Sequence, residues 1–519
     1  MSKLSMPLLF LVLSVNTFAQ GDKAERAVRW LAKGKTGAAI SFVTRDSQKL
    51  DDRVGACERY FVLAMAACQK NDIGAAFKHA QHAVELGLPT ERLQAGPRDI
   101  LAPLYAHSEF KAWMQKQEKQ LIHGPLLGSV TDSSASFWVR TAEESDVQIK
   151  VNPVPDNTSN TQQFTGKART SGKSDYTTTI TISGLGPDTQ YKYKVLVNGR
   201  QTETSAEFRT FPKQGKSFRF SIAFGGGAGF TAKHERMWTT IEKHNVSALF
   251  MLGDNVYIDD PTHPMTQRYC YYRRQSQPEW RHLTASTSTF SIYDDHDFGI
   301  DNCIPGPEIE QPVWKRKVWE VFKENWINPA YGGGEKQPGC WFDFYIGDVH
   351  FIMLDGRYYR DLQGGSMLGP VQKAWLFETL KSSKGKFLIL ASPVPWSPGV
   401  KQGRDTWDGF RKEREEIFSF IEKHRIDGVI LMAADRHRSD LRRIKRSKGY
   451  NLYEVMSSRL TNIHTHKLMK DARGSEFIMG YNTKCSFGLL DFDTTAEDPE
   501  VKYTIINIDN EVIDSLTLK

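Results

Sequence analysis

Two changes of hydrophobic period run along this chain of 519 residues, and they restrict its fold more than any other feature. From about Lys23 to Ile122 the apolar residues recur at helical spacing, most clearly over Glu58–Lys70 and Ile73–Leu88, with the polar pair Asn71-Asp72 between them. From His123 the pattern alternates, as in the stretch from Val130 to Arg140 and again from Tyr176 to Ile182. Beyond Lys216 short apolar runs alternate with helical segments: Phe218–Phe224, Ala248–Leu252, Phe351–Leu354, Phe387–Ala391 and Gly428–Met432. Several of these runs end directly in Asp or Gly. In open α/β sheets ligands gather at the carboxyl ends of strands, so the residues just after each run are the first candidates for chemistry.

The fold class expected is therefore multidomain. The small residues Ala64, Ala66, Ala67, Ala75, Ala76, Ala80 and Ala83 let two helices approach closely, and residues 23–122 read either as an all-α, tetratricopeptide-like region or as a generic helical bundle. Either would serve packing or a protein partner. In residues 123–212, Leu185-Gly-Pro-Asp-Thr-Gln-Tyr191 resembles the tyrosine corner of a fibronectin type III or immunoglobulin-like β-sandwich. Residues 216–519 form the α/β domain.

Residues 1–19 read as a signal peptide: Lys3, an apolar run from Met6 to Val15, then Thr17-Phe18-Ala19 as a small-x-small cleavage site. The expected location is periplasmic or secreted, and no other stretch is apolar enough to span a bilayer. Removing Lys3 lowers the formal charge from +7 to +6, a mild excess that argues against a dedicated nucleic-acid binder. The six cysteines are an even set, so disulfides are allowed, while the absence of C-x-x-C spacing disfavours a zinc-thiolate site.

In order, the strand ends carry Gly225-Gly-Gly-Ala-Gly229, then Gly253-Asp254-Asn255-Val-Tyr257, then Asp294-Asp295-His296-Asp297, then Leu354-Asp355-Gly-Arg357-Tyr-Tyr-Arg360, then Asp435-Arg436-His437. Any one of these occurs by chance. Their ordered appearance after successive strands points to a single edge lined with metal-ligand types.

With GDNVY, DDHD and DRH at these positions, the chain resembles the metallophosphoesterases, and specifically the alkaline phosphatase D (PhoD-like) family, whose fold is a four-layer α/β domain. The GD-x-x-Y form is also similar to that of purple acid phosphatases. The resemblance implies two or more metal ions. Asp254 bridges them, Tyr257 and His437 belong to the first site, and Asp295 and Asp435 belong to the second. A phenolate favours Fe(III), and an oxygen-only site favours calcium, with magnesium or manganese as other occupants. His296 is the implied catalytic group at the transition state or leaving oxygen. Arg357, a second catalytic candidate, would bind phosphate with Arg360 and Asn255. For Asn255, Asp259, Asp260 and Asp297, turn capping is an equal reading.

The pattern is broken at Phe224-Gly225-Gly226-Gly227, where no side chain can bind metal. Water, a substrate oxygen or an acid such as Asp259 then fills the place, or the site runs with one metal. The same glycines read as a simple tight turn or as an N–H cradle for an anion. The segment Arg268–Arg274 is read as packing or as a groove lining, and His464 and His466 as a late metal or rim element. The function expected is a secreted metal-dependent phosphatase or phosphodiesterase that scavenges phosphate from phosphate esters. The alternative is a non-catalytic binding or adhesion protein on a degenerate metallophosphoesterase scaffold.

Overall fold

The structure, a computed structural model, describes residues 23–45, 55–117, 119–154, 162–401 and 403–518. The expected signal peptide lies outside them. Among the described residues no helix is long and apolar enough to cross a membrane.

At Asn71 the backbone turns left-handed (φ 59°), and the Asp72 carboxylate accepts from Ala75 N at 3.0 Å, capping the next helix. The expected pair of helices therefore forms, as Ala56–Gln69 and Ile73–Glu85. Their neighbours are Lys23–Ala32, Thr36–Thr44, Thr90–Ala95, Arg98–Ala106 and Ser108–Gln115. Alternation then gives strands β1 (Leu121–Gly128), β2 (Ser134–Thr141), β3 (Asp146–Pro153), β4 (Phe164–Arg169), β5 (Thr177–Ser183), β6 (Gln190–Val197) and β7 (Arg200–Arg209). They form antiparallel sheets in the orders β1-β2-β5 and β4-β3-β6-β7. Tyr191 Oη accepts from Gly186 N at 2.7 Å, which pins the turn before β6.

The remaining strands build two larger sheets. The first has the order β10-β9-β8-β18-β19-β20, where β8 is Arg219–Gly225, β9 Ala248–Leu252, β10 Ser288–Ile292, β18 Ser486–Asp493, β19 Glu500–Asn507 and β20 Val512–Leu518. The second has the order β11-β12-β13-β14-β16-β15-β17, with β11 Phe342–Ile346, β12 Val349–Met353, β13 Phe387–Ala391, β14 Val429–Ala433, β15 Ser439–Ile444, β16 Leu452–Met456 and β17 Glu476–Tyr481. The sheets pack face to face through aromatic rings, with Phe290 on Phe344 at 4.0 Å and Phe250 on Phe351 at 4.9 Å between centroids. Helices Gly369–Ser382 and Arg411–His424 bury Leu376, Leu380, Ile417 and Phe418 on the outer face of the second sheet.

Strands β8, β9 and β10 are parallel to one another, as are β12, β13, β14 and β16. A bridge between Gly226 and Ser458 joins the ends of β8 and β16, so the carboxyl ends of both sheets meet on one edge. All six cysteines lie among the described residues and none is bridged. The disulfides that the even set of cysteines allowed are not formed.

The helical region and the sandwich are held to the large domain by buried polar contacts. Arg92, fully buried, donates to Glu58 at 2.5 and 3.2 Å, and Tyr269 Oη donates to the same carboxylate at 2.5 Å. From the sandwich, Arg140 reaches Gln275 and Asn325 at 2.5 and 2.9 Å, and Trp138 Nε1 donates to Glu324 O at 2.8 Å. Helix Pro264–Gln275, which carries the Arg/Tyr-rich segment, is the hub of these contacts and is used for packing.

Arg92→Ala leaves the Glu58 carboxyl group buried beside a phenol without its guanidinium partner. It is expected to lower the unfolding free energy by about 3–5 kcal/mol in urea titrations. A loss below roughly 1 kcal/mol would mean that the pair behaves as a solvated surface contact.

Candidate metal centre

The turn after β9 must reverse within a few residues to raise side chains above the sheet edge. Gly253, Asp254, Tyr257 and Asp259 therefore take positive φ, at 99°, 53°, 51° and 51°. Asp297 holds this loop from below, accepting from Asn255 N at 2.8 Å, Val256 N at 3.0 Å and Asn255 Nδ2 at 3.0 Å. Asp260 caps the next turn through Thr266 Oγ1 at 2.9 Å. For Asp297 and Asp260, turn capping is thus the arrangement seen. Asn255 is fully buried; its Nδ2 also donates to Ile292 O at 2.9 Å, while its Oδ1 has no hydrogen-bond partner among the described residues.

Two groups of ligand atoms come together. Asp254, Asp295 and His296 bring theirs within 4.8 Å of one another, and all three are buried. On the other side of Asp254, Tyr257 Oη donates to its Oδ2 at 3.2 Å and lies 2.7 Å from His437 Nε2. Asp254 therefore stands between an oxygen-rich side and a Tyr/His side. Its Oδ1, Asp294 Oδ2 and His437 Nδ1 are buried without a hydrogen-bond partner among the described residues. Such unpartnered ligand atoms are what a cation site requires, and the donor types fit a mixed oxygen and nitrogen metal centre.

The electrostatics agree. Burial pushes Asp254 well above the ordinary carboxylate range, and the acids Asp295, Asp294 and Asp297 add to the shift against the pull of His296. Burial raises Asp294 too, although Arg357 opposes it. Burial lifts Asp297 to about 6. Asp295 goes the other way: burial would raise it, but Arg357 and His296 outweigh that and hold it below its usual range. Burial and the neighbouring Asp254 push the Tyr257 phenol well above its usual range.

His296 stacks on Tyr257 with ring centroids 4.4 Å apart, and its Nδ1 is 2.6 Å from Asp259 Oδ1. Burial opposes its charge, yet Asp259, Asp254 and Asp295 push its pKa well above the usual histidine range. Asp259 is in turn met by Arg29 of the first helix, whose Nη1 donates to Asp259 O at 3.2 Å and whose Nη2 lies 3.9 Å from its Oδ2. Asp259 is thereby engaged with His296 and Arg29, which leaves it out of the place opened by the missing turn ligand.

Arg357 and Arg360 are fully buried. Arg357 pairs with Asp294, with Asp405 at 2.7 Å and with Asp295 at 3.4 Å, and Arg360 pairs with Asp405 at 3.0 Å. Their forks engage carboxylates inside the protein, while Arg357 Nη2 and Arg360 Nη2 have no hydrogen-bond partner among the described residues. Asp435 lies outside both ligand groups, at the rim, where Lys401 Nζ comes within 3.8 Å of it while also pairing with Asp405. Arg436 stands beside it, with Nε unpartnered. The sequence reading did not single out Lys401, Asp405, Arg436 or Asn462. Arg436 lay in plain view inside DRH, whereas Lys401 and Asp405 sit in a loop with no motif.

The glycine turn is a tight turn. Gly226 N donates to Ser457 O at 3.2 Å, Gly227 N to Gly253 O at 3.3 Å and Ala228 N to Asp254 O at 2.8 Å, so these amides are engaged and form no anion cradle. A Cβ at Gly226 would lie 2.6 Å from Ala434 Cβ. Burial, with the other two rings adding, holds His437 well below the usual histidine range. Burial and Arg436 lower His464, and bring His466 down to about 3.

A family model described as PhoD-like phosphatase matches residues 222–503, and one described as a domain of unknown function (DUF7800) matches residues 118–215. Alkaline phosphatase D of Bacillus subtilis (strain 168) is 24% identical over 313 residues, covering 50% of this chain and 53% of that protein. This chain thus spans about half the length of the curated relative it matches. The solved structure of PhoD superposes with a TM-score of 0.61 at 16% identity, covering 76% of this chain and 92% of that one. Purple acid phosphatase PPD1 from yellow lupin (Lupinus luteus) seeds gives 0.59 at 13% identity, covering 76% and 74%. These two likenesses establish the shared fold. The family model spans more than half of the chain and every strand end that carries the cluster, and the chain belongs to the PhoD-like phosphatase family.

Proposed function

We propose that the chain is a metal-dependent hydrolase of phosphate esters, acting at the shared edge of its two sheets. The observation that carries this reading is Asp254, buried, with one oxygen on Tyr257 and the other unpartnered, between an acid group and a Tyr/His pair. Tyr257 and His437 would hold one ion, Asp295 and Asp435 a second, and Asp254 both. Iron fits the phenol side, and calcium, magnesium or manganese fit the oxygen side. Bound there, such ions supply Lewis acidity toward water and phosphoryl oxygens.

The other steps belong to side chains. His296, kept cationic by Asp259, donates a proton from Nε2 to the leaving oxygen. Asp259 fixes the ring through Nδ1 and so dictates which nitrogen faces the substrate. Lys401 and Arg436, both beside Asp435 at the rim, are the cations placed to meet phosphate. Arg357 and Arg360 act as positioning residues, holding Asp294, Asp295 and Asp405 at fixed separations, and Asn255 locks the loop.

Residues 23–122 fit a tetratricopeptide-like brace able to hold a protein partner, residues 123–212 a fibronectin type III-like sandwich, and residues 216–519 the catalytic domain. Phosphate scavenging outside the cytoplasm suits the signal-like first 19 residues. The binding-protein reading draws its support from the glycine turn, which has no room for a restored ligand. The five assigned metal ligands and His296 weigh against it.

Asp254→Asn is expected to lose both metal content and turnover of p-nitrophenyl phosphate and its bis-ester, whereas His296→Ala keeps its metal and loses about 10²–10⁴-fold in kcat. Equal loss of metal in both variants would contradict this division of roles, and a metal-free, inactive wild-type protein would favour the binding reading.

A second expectation follows from the raised Asp254 and Asp294. In metal-free protein their protonated forms stabilise the fold; that contribution is complete below the ordinary carboxylate pKa of about 4 and fades as pH rises through the raised values. Cation uptake must displace those protons. Calorimetric titration with Mn(II) near about pH 6, in two buffers of unequal ionisation enthalpy, should therefore show net proton release. Identical heats in both buffers would show that the acids are already ionised.

A further inference from the structure

Beside the acid group lies a second convergence of ligand atoms. His437, His464 and His466 bring one ring nitrogen each within 4.8 Å of one another. The three rings pack together, with centroid separations of 5.2 Å for His437–His464, 5.5 Å for His437–His466 and 4.6 Å for His464–His466. His437 is buried, and its Nδ1 has no hydrogen-bond partner among the described residues. The other two rings are half-buried at the rim.

The backbone carrying them is fixed from both sides. Thr465 Oγ1 donates to His437 O and to Asn482 O, both at 3.0 Å, and Asn482 Nδ2 donates to His466 O at 2.9 Å. Asn462 Oδ1 accepts from His464 N at 2.9 Å. The start of this loop is clamped to the glycine turn, with Leu460 N donating to Gly226 O at 3.0 Å and Asn462 N to Gly227 O at 3.2 Å. A Cβ at Gly227 would come 2.9 Å from Arg459 N and 3.2 Å from His437 Cδ2. The bare turn is therefore what allows the histidine-bearing loop and His437 to close over the end of β8.

We infer that His437, His464 and His466 form a three-nitrogen site for a borderline divalent transition metal such as zinc or cobalt(II), so that the late loop supplies the ligands that the glycine turn cannot. Three imidazoles with a position left open are a donor set suited to such ions, and poorly suited to calcium or magnesium. The inference rests on the metal-centre reading through the shared His437, while His464 and His466 are donors that reading does not use.

The test is titration of chelator-stripped full-length protein with Co(II), followed in the visible. Wild type is expected to show the intense d–d absorption of a low-coordinate, nitrogen-rich site. His464→Ala/His466→Ala should lose that absorption and weaken Co(II) binding by at least the roughly 100-fold that loss of an outer-shell partner alone can reach. Asp295→Asn should keep the absorption, because its carboxylate serves the oxygen-rich side. An unchanged spectrum and affinity in the double variant would overturn the site. Should that variant fail a thermal-melt control, His466→Gln alone decides in the same way, by a shifted or an unshifted spectrum. Turnover is not the readout, so absence of phosphatase activity would count against the proposed function while leaving the spectrum to judge the histidines.

Discussion

The arrangement of the site depends on one buried charge problem. Parallel strands that end side by side deliver Asp254, Asp294, Asp295 and Asp355 to a common edge with little water, and unpaired charge in such surroundings is costly. Arg357 is the fixed counter-charge: it joins Asp294 and Asp295 from the first sheet to Asp405 from a loop after β13 in the second. It does not neutralise the whole set, and Asp254 and Asp294 retain raised proton affinity beside it. The remaining imbalance is what a cation would correct. The buried guanidinium is thus central to the arrangement: it sets the spacing of the carboxylates and leaves their surplus charge unmet.

The same economy of charge ties the outlying parts to the centre. Arg29 and Glu25 of the first helix form a pair whose cation also reaches Asp259, the partner of His296. Arg92, Glu58 and Tyr269 join the next helices to Pro264–Gln275, and Arg140 of the sandwich approaches the same helix from its other end. The helical segment lies outside residues 222–503, yet Arg29 is linked to His296 through Asp259. It is thus part of the site's support, held by geometry that a loosely tethered accessory module would lack.

Much of the fold was legible because periodicity reports burial. Strands β9 and β13 fall where the apolar runs predicted, and the helix pair around Asn71-Asp72 differs only at its ends. Strand β10 was not singled out, because three of its five positions are Ser or Thr, here buried, as with Ser291 Oγ at 3.2 Å from Asn255 Nδ2. Of the site, Asp254, Tyr257, Asp295, His296 and His437 were implied by the family resemblance of the motifs that carry them and are gathered by the fold, while Asp435 is set apart at the rim. Direction was not legible. A sequence shows that Arg357 and Arg360 follow a strand but not that Asp405, about 45 residues on, turns them inward. Likewise His464 and His466 gain meaning only once the glycine turn is seen to hold their loop against His437.

Several of the residues with left-handed backbone lie at the site, and others occur in turns elsewhere, such as Asn71, Tyr176 and Arg425. Asp254, Tyr257, Asp259, Asp435 and His437 all have φ between 47° and 65°, a region that side chains with a Cβ occupy at a cost of about 1–3 kcal/mol each. Glycine or asparagine would relieve it, and Tyr257, bulky and buried, is the least natural occupant. The strain persists because each turn is held by specific partners: Asp297 under the Asp254 loop, and Ala434 O accepting from Arg436 N at 2.8 Å in the next. A surface that merely docked a partner would gain nothing from such conformations. Here Asp254, Tyr257 and His437 bring a carboxylate, a phenol and an imidazole close together above the strand ends, Asp259 fixes His296, and Asp435 stands at the rim. The glycine turn then reads as a rearrangement of that convergence, with its neighbours still held in the positions a metal centre demands.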